Sequence, residues 1–288
     1  MRLTEKLKHT FIITAEVDPP RGADPTPTLQ QALILRGYVD AVNVSDAPMA
    51  NLRMNSFMLA HLIQSRTGVE VIPHLTARDR NAIALQADLL GAWALGVRNV
   101  LMLGGDPPER GDHPWAKAVY EFGAVELASA VSKLNRGSNL SGGQLEGSTD
   151  YSIGVAVNPG AADIELEVEK FRAKIEAGAS FAQSQPVFEV ETAQRFVKAL
   201  GGKSPIPILW GVLPLRSARM ARNVSRWTEV PQWLLTDIET RGKAAGMEAA
   251  QRVLGELHSA GMAGAHLYPL GKVELLREML KPIGTRLS

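Results

Sequence analysis

One pattern constrains this chain more than any other. A short apolar run ends in polar residues, a helical stretch and a glycine follow, and the next apolar run begins. The runs are "FIITAEV", "VDAVNVSD", "VEVIPHLT", "VRNVLMLGGD", "YSIGVAVN", "SFAQSQPV", "IPILWGVLP" and "GAHLYPL". Between them lie helical stretches such as "PTLQQALILRG", "NAIALQADLLGAWALG", "ADIELEVEKFRAKIEAG" and "ETAQRFVKALG". Gly37, Gly96 and Gly178 stand where helix C-caps belong. "GAWALGVRNVLML" and "IEAGASFAQSQ" each pass from an amphipathic helix through a glycine turn into a near-continuous apolar strand. That is the sequence form of a parallel βα unit.

Eight such units in 288 residues match a single (β/α)8 barrel, an α/β fold, in number and length. Most strand starts are about 26 to 30 residues apart, an ordinary βα repeat. Two gaps are longer. The one before "YSIGVAVN" contains "NRGSNLSGGQLEGSTD", and its Gly and Ser content predicts a flexible loop over about 136–150. The one before "GAHLYPL" predicts added short helices around Trp227 to Thr240. A doubly wound open sheet is the rival, but no GxGxxG follows the first strand.

Composition removes several function classes. With 31 Lys and Arg against 30 Asp and Glu, the formal charge of +1 leaves no footprint for nucleic acid or an anionic membrane. The chain has no cysteine, so it carries no disulfide, no thiolate nucleophile and no Cys-ligated zinc or iron–sulfur centre. No stretch reaches the roughly 18 apolar residues of a transmembrane helix, and the N-terminus lacks the apolar region of a signal peptide. A soluble, cytoplasmic protein is the expectation.

In a (β/α)8 barrel the C-terminal strand ends build the active site. Here those ends carry Glu16 and Asp18, then Asn43, Ser45 and Asp46, then His74 and Thr76. Gly104, Gly105 and Asp106 follow strand four, Asn158 strand five, Gln183 and Gln185 strand six, and Tyr268 strand eight. So many polar groups on apolar strands predict a ligand or water at the mouth, since buried polar groups need partners. Singly, each has a plain structural reading. Glu16 can be a rim carboxylate paired with a base, His74 a hydrogen-bonded core histidine, "LGGDPP" a turn and Gln185 a strand-end cap. The basic clusters "RDR" and "RSARMAR" read more readily as solvated faces than as anion contacts. No nucleophilic triad and no His-rich metal spacing occurs.

Together, "TAEVDPPRG", "IPHLTARDRN", "RNVLMLGGDPP", "AGASFAQSQPVFEVE" and "GVLPL" stand in the order and spacing of the methylenetetrahydrofolate reductase family. The resemblance runs from about Phe11 to the last strand. The long string from "ARDRN" through "GDHPWAKAVYEF" resembles the branch found in anaerobes with one-carbon pathways. The resemblance implies a flavoprotein, carrying FAD or else FMN, that reduces 5,10-methylenetetrahydrofolate to 5-methyltetrahydrofolate. In it Glu16 is the general acid that opens the folate ring, and Asp106 lies near both the flavin and the pterin. Gln185 is a folate contact. Ser45, His74, Thr76, Lys174 and Tyr268 match flavin-contacting positions, and Leu103, Gly104, Gly105, Asp106 and Asn158 complete the implied cofactor set.

The chain also departs from the family. Gly104 stands where many relatives place a flavin-contacting arginine. "VNPGAAD" lacks the tyrosine and histidine that FAD-binding members place near the dinucleotide, and Ala218 replaces an expected phenylalanine. These departures leave two further readings: a flavin-free nicotinamide-dependent reductase, and a flavin- or pterin-binding subunit of a larger redox complex. They also leave the electron donor open between NAD(P)H and an accessory zinc or iron–sulfur subunit, and the assembly open between homo- and hetero-oligomer.

Overall fold

The polar strand ends share one rim because the strands are parallel and close on themselves. The computed structural model describes residues 3–283. Strands β1 (Ile12–Val17), β2 (Ala41–Val44), β3 (Val71–Thr76), β4 (Asn99–Leu103), β5 (Ser152–Val157), β6 (Phe181–Pro186), β7 (Ile208–Val212) and β8 (Gly264–Leu267) form a closed barrel in sequence order. Every neighbouring pair is parallel, and the seam joins β8 to β1 with Ile12 opposite Gly264. Helices α1 (Leu3–Lys6), α2 (Thr26–Leu35), α3 (Ser56–Thr67), α4 (Ala82–Ala94), α5 (Ala124–Asn135), α6 (Ile164–Glu176) and α7 (Val190–Ala199) come before β7. After it come α8 (Ala218–Val224), α9 (Gln232–Arg241) and α10 (Lys243–Ser259), and α11 (Leu276–Met279) follows β8.

Each expected strand overlaps an observed one. The long gap before β8 holds the short helices α8 and α9 ahead of α10. Gly37, Gly96 and Gly178 all hold positive φ just past a helix end, which is what a left-handed cap requires. The stretch 136–150 is tied at several points. Leu145 N donates to Gly137 O at 2.8 Å, Leu140 N to Gln86 at 2.8 Å and Thr149 Oγ1 to Asn135 at 2.7 Å.

Alternate residues of each strand point to opposite faces. One set, including Ile13, Ala15, Val42, Val71, Val100, Val155 and Trp210, packs beneath the helices in the main core. The other set fills the barrel in layers, and its chemistry changes with height. At the base, Ile12, Ala41, Ile72, Phe181 and Leu209 form an apolar layer with Leu3 and Leu7, so α1 seals that end, and Leu101 extends from this cluster to the cavity wall. Phe181 fits because β5 has Gly154 opposite, where a Cβ would collide with the phenyl ring. The middle layer is polar but uncharged, and the carboxylates stand at the mouth.

Candidate active site

The middle layer is one hydrogen-bonded network of amides, a hydroxyl and two imidazoles. Asn43 Nδ2 donates to Gln183 Oε1 at 2.8 Å and to His74 Nε2 at 3.0 Å. Gln183 Nε2 returns a bond to Asn43 Oδ1 at 3.1 Å and reaches Thr14 Oγ1 at 3.4 Å. Thr14 Oγ1 meets His266 Nδ1 at 2.9 Å. An amide nitrogen only donates, so His74 Nε2 is an acceptor and its proton sits on Nδ1. Thr14 Oγ1 accepts from Gln183, and the same hydroxyl shares a hydrogen bond with His266 Nδ1. Burial agrees: it lowers His74 to about 4 and His266 to about 3, so both imidazoles are neutral near pH 7.

Above this floor lies a cavity of about 420 Å³, within the roughly 300–1,000 Å³ of ligand sites. Glu16, Ser45, His74, Thr76, Leu103, Gly104, Gly105, Asp106, Gln185 and Tyr268 all line it. Ser45 Oγ donates to Glu16 Oε1. Burial raises the Glu16 pKa, the Ser45 bond opposes that shift, and the like charge of Asp18 adds to it. Tyr268 donates its hydroxyl to Ser184 O at 3.0 Å and packs edge-on against His266. Burial, reinforced by Glu16, keeps the phenol protonated.

Two expected site residues stand apart from the cavity lining. Lys174 projects from α6 and donates to Ala156 O at 2.8 Å, so its ammonium is spent on the back of β5. Asn158 accepts from Gly160 N at 3.1 Å and caps the turn after β5.

The "RDR" cluster corrects a sequence expectation, for both arginines are buried. Arg80 pairs with Asp46 at 2.7 Å and with Asp88 at 2.7 Å. Asp46 also accepts from Thr76 N at 2.9 Å and Thr76 Oγ1 at 2.8 Å. Arg78 lines the cavity with Asp46 and His266; Asp46 stands among the polar strand ends read from sequence, whereas Arg78 and His266 do not. Sequence holds only a faint signal for them. His266 keeps the inward phase of a strand, and the arginines follow strand three directly.

A closed parallel barrel with carboxylates, amides and neutral imidazoles converging at its C-terminal mouth defines a (β/α)8 enzyme site. A family model described as "Methylenetetrahydrofolate reductase" matches residues 2–284, and the chain belongs to that family of oxidoreductases. The 5,10-methylenetetrahydrofolate reductase of Pectobacterium carotovorum subsp. carotovorum is 27% identical over 98% of this chain and 93% of its own. The Escherichia coli K12 protein of the same name is 26% identical over 95% of this chain and 91% of its own. Among solved structures, a Clostridium thermocellum protein reported to bind two copies of 5-methyl-5,6,7,8-tetrahydrofolic acid superposes with a TM-score of 0.68. It is 13% identical, covering 96% of this chain and 99% of that one, so that likeness bears on the fold. Among the described residues no helix is long and apolar enough to cross a membrane.

Proposed function

We propose that this chain reduces 5,10-methylenetetrahydrofolate to 5-methyltetrahydrofolate at the barrel mouth, with Glu16 as general acid and a flavin, FAD, as the hydride carrier. The observation that carries the reading is the Glu16 carboxyl, half-buried in the cavity wall with its pKa raised and one oxygen held by Ser45. An acid that works near neutrality needs such a shift.

The cavity suits a flat heteroaromatic ring. A side chain at Gly104 would enter open space, so the backbone there leaves room for a plane to approach. Leu101, Leu103 and Ala156 offer apolar contact, and Thr76, His74 and Gln185 offer uncharged polar groups. When bound, the flavin supplies the hydride chemistry and the protein supplies orientation. Ser45 fixes the Glu16 carboxyl so that its free oxygen delivers a proton to the folate ring nitrogen and opens the five-membered ring. Asp106 holds the pterin by charge-assisted hydrogen bonds, and Gln185 adds a further contact. The chain works in the cytoplasm and receives its electrons through a separate protein, an accessory subunit of the zinc or iron–sulfur type. The absence of cysteine, which leaves the chain without an iron–sulfur centre of its own, and Ala218 in place of the expected phenylalanine support a separate donor.

The test is Glu16→Gln. The variant is expected to bind flavin and accept electrons as before, while methylenetetrahydrofolate reduction falls by about 10²–10⁴-fold. In the parent protein the folate step should decline as pH rises through the raised Glu16 pKa, because the acid form is consumed there. Stopped-flow of the two half-reactions separates them. Near-parent folate turnover in the variant would end the assignment. A pure protein without visible flavin absorption would favour the flavin-free reading.

A further inference from the structure

The loop after β2 has an unusual backbone. Ala47, Met49 and Ala50 hold φ of 44°, 54° and 54°. In each, an L side chain sits in the left-handed region that its own Cβ disfavours. Ala47 and Pro48 form part of the cavity wall, so this backbone shapes the site.

Three of the contacts that hold the loop bear on Ala47, Met49 and Ala50, and these run to the turns after β3 and β4. Arg78 Nη1 donates to Ala47 O at 3.2 Å and to Asp106 O at 3.3 Å, bridging the two loops. Asp106 Oδ2 accepts from Met49 N at 3.1 Å. Gly111 packs so closely on Ala50 O that a Cβ would collide with it. The guanidinium is itself fixed, with Nε and Nη2 donating to the two Asp79 oxygens at 2.8 and 2.7 Å. That fork leaves Nη1 free for both carbonyls, a division of labour that a lysine ammonium does not reproduce.

We infer that Arg78 is a positioning residue for the reduction: it clasps the Ala47–Ala50 loop to the turn after β4 and so fixes the Asp106 carboxylate at the cavity. Arg78 acts through two backbone carbonyls and through the loop whose Met49 N–H holds Asp106. Without it the left-handed loop relaxes, Met49 N–H leaves Asp106, and the carboxylate loses its fixed direction. The inference rests on the reading that Asp106 holds the pterin.

The experiment uses the whole chain as the parent, Asp106→Asn, Arg78→Met, Arg78→Lys and Arg78→Met combined with Ala47→Gly and Met49→Gly. Binding of 5-methyltetrahydrofolate is measured by calorimetry, and KM and kcat for methylenetetrahydrofolate with reduced viologen. Asp106→Asn and Arg78→Met are each expected to raise Kd and KM about tenfold, the scale of one charge-assisted hydrogen bond. In Arg78→Met, kcat should fall much less than KM rises, and Arg78→Lys should lie between. Glycine accepts positive φ without strain, so the triple variant should recover part of the lost affinity. A scaffold role alone would reduce the active fraction, lowering kcat while leaving KM and Kd unchanged. Parent-like Kd and KM in Arg78→Met, with Asp106→Asn impaired, would overturn the inference. Parent-like affinity in Asp106→Asn would instead overturn the reading of Asp106. Should Arg78→Met fail to fold, Arg78→Lys decides by the same KM and Kd.

Discussion

His74 and His266 lie one layer beneath the carboxylates, and their neutrality has a stability signature. Histidine at its ordinary pKa of 6.5 takes up a proton that these two refuse until about pH 4 and 3. Between those values the unfolded chain binds more protons, so stability rises with pH and is lost as pH falls from 6.5. Glu16 works in the opposite sense. Its raised pKa contributes stability below its ordinary value of 4.5, and that contribution fades as pH climbs through the folded pKa. His266→Asn keeps a hydrogen-bonding partner for the Thr14 hydroxyl and removes one imidazole. The loss of unfolding free energy between pH 7 and 5 should shrink by about 2 kcal/mol, read from urea melts at the two pH values. An unchanged pH dependence would mean that His266 is charged in the fold. At this scale Glu16, His74, Thr76 and Gln185 are legible in the sequence, because a polar residue closing an apolar strand stands out. Thr14 and His266 are not, since within a strand only closure of the barrel brings them together. Arg78 and Arg80 mislead for a related reason. A basic pair in a loop looks solvated until Asp46 and Asp106 fold over it.

Strand β6 carries the irregularity that aims Gln185. Gln183 pairs with Leu209 but Pro186 with Gly211, so β6 spends one residue more than β7 over the same rise. That is a bulge, a feature common beside active sites. Ser184 repairs the ladder there, its hydroxyl accepting from Gly211 N at 2.8 Å and donating to Gln185 O at 2.7 Å. Gly211 is required by the close approach, for a Cβ would lie 2.7 Å from Ser184 O and 2.8 Å from Gln185 O. Gly211→Ala must push the bulge away. Overpacking of this kind costs about 1–3 kcal/mol, or several degrees in Tm at roughly 2–4 °C per kcal/mol. Scanning calorimetry checks the stability loss, and KM for the folate should rise with it as Gln185 moves. An alanine variant with parent Tm and KM would show that the bulge yields freely. The strands themselves are legible from their apolar runs and glycine stops. The bulge is not, because "SQPV" reads as an uninterrupted strand, and its cause lies on β7.

The whole molecule is open to a reaction partner at one end. Leu3 and Leu7 of the N-terminal segment close the base against the apolar layer, and the cavity lies at the C-terminal strand ends. On the β7 side of that mouth, Ala218 opens α8 behind its Ser217 cap and packs on the cluster of Leu213, Leu215 and Phe188. An aromatic ring that could stack on a nicotinamide is absent at that position. On the opposite side the loops after β2 and β4 present Met49 and Trp115, 67% and 76% exposed. The chain has no cysteine to hold an iron–sulfur centre of its own. Electron delivery by a separate protein is the proposal that these features support. The purified chain should therefore reduce methylenetetrahydrofolate with reduced viologen but only slowly with NADH or NADPH, in steady-state assays run side by side. Addition of the physiological donor protein should bring nicotinamide-driven turnover up to the viologen rate. Turnover with NADH alone in the ordinary enzymatic range of about 1–10³ s⁻¹ would remove the need for a partner. The nicotinamide would then have to bind the mouth without an aromatic at position 218.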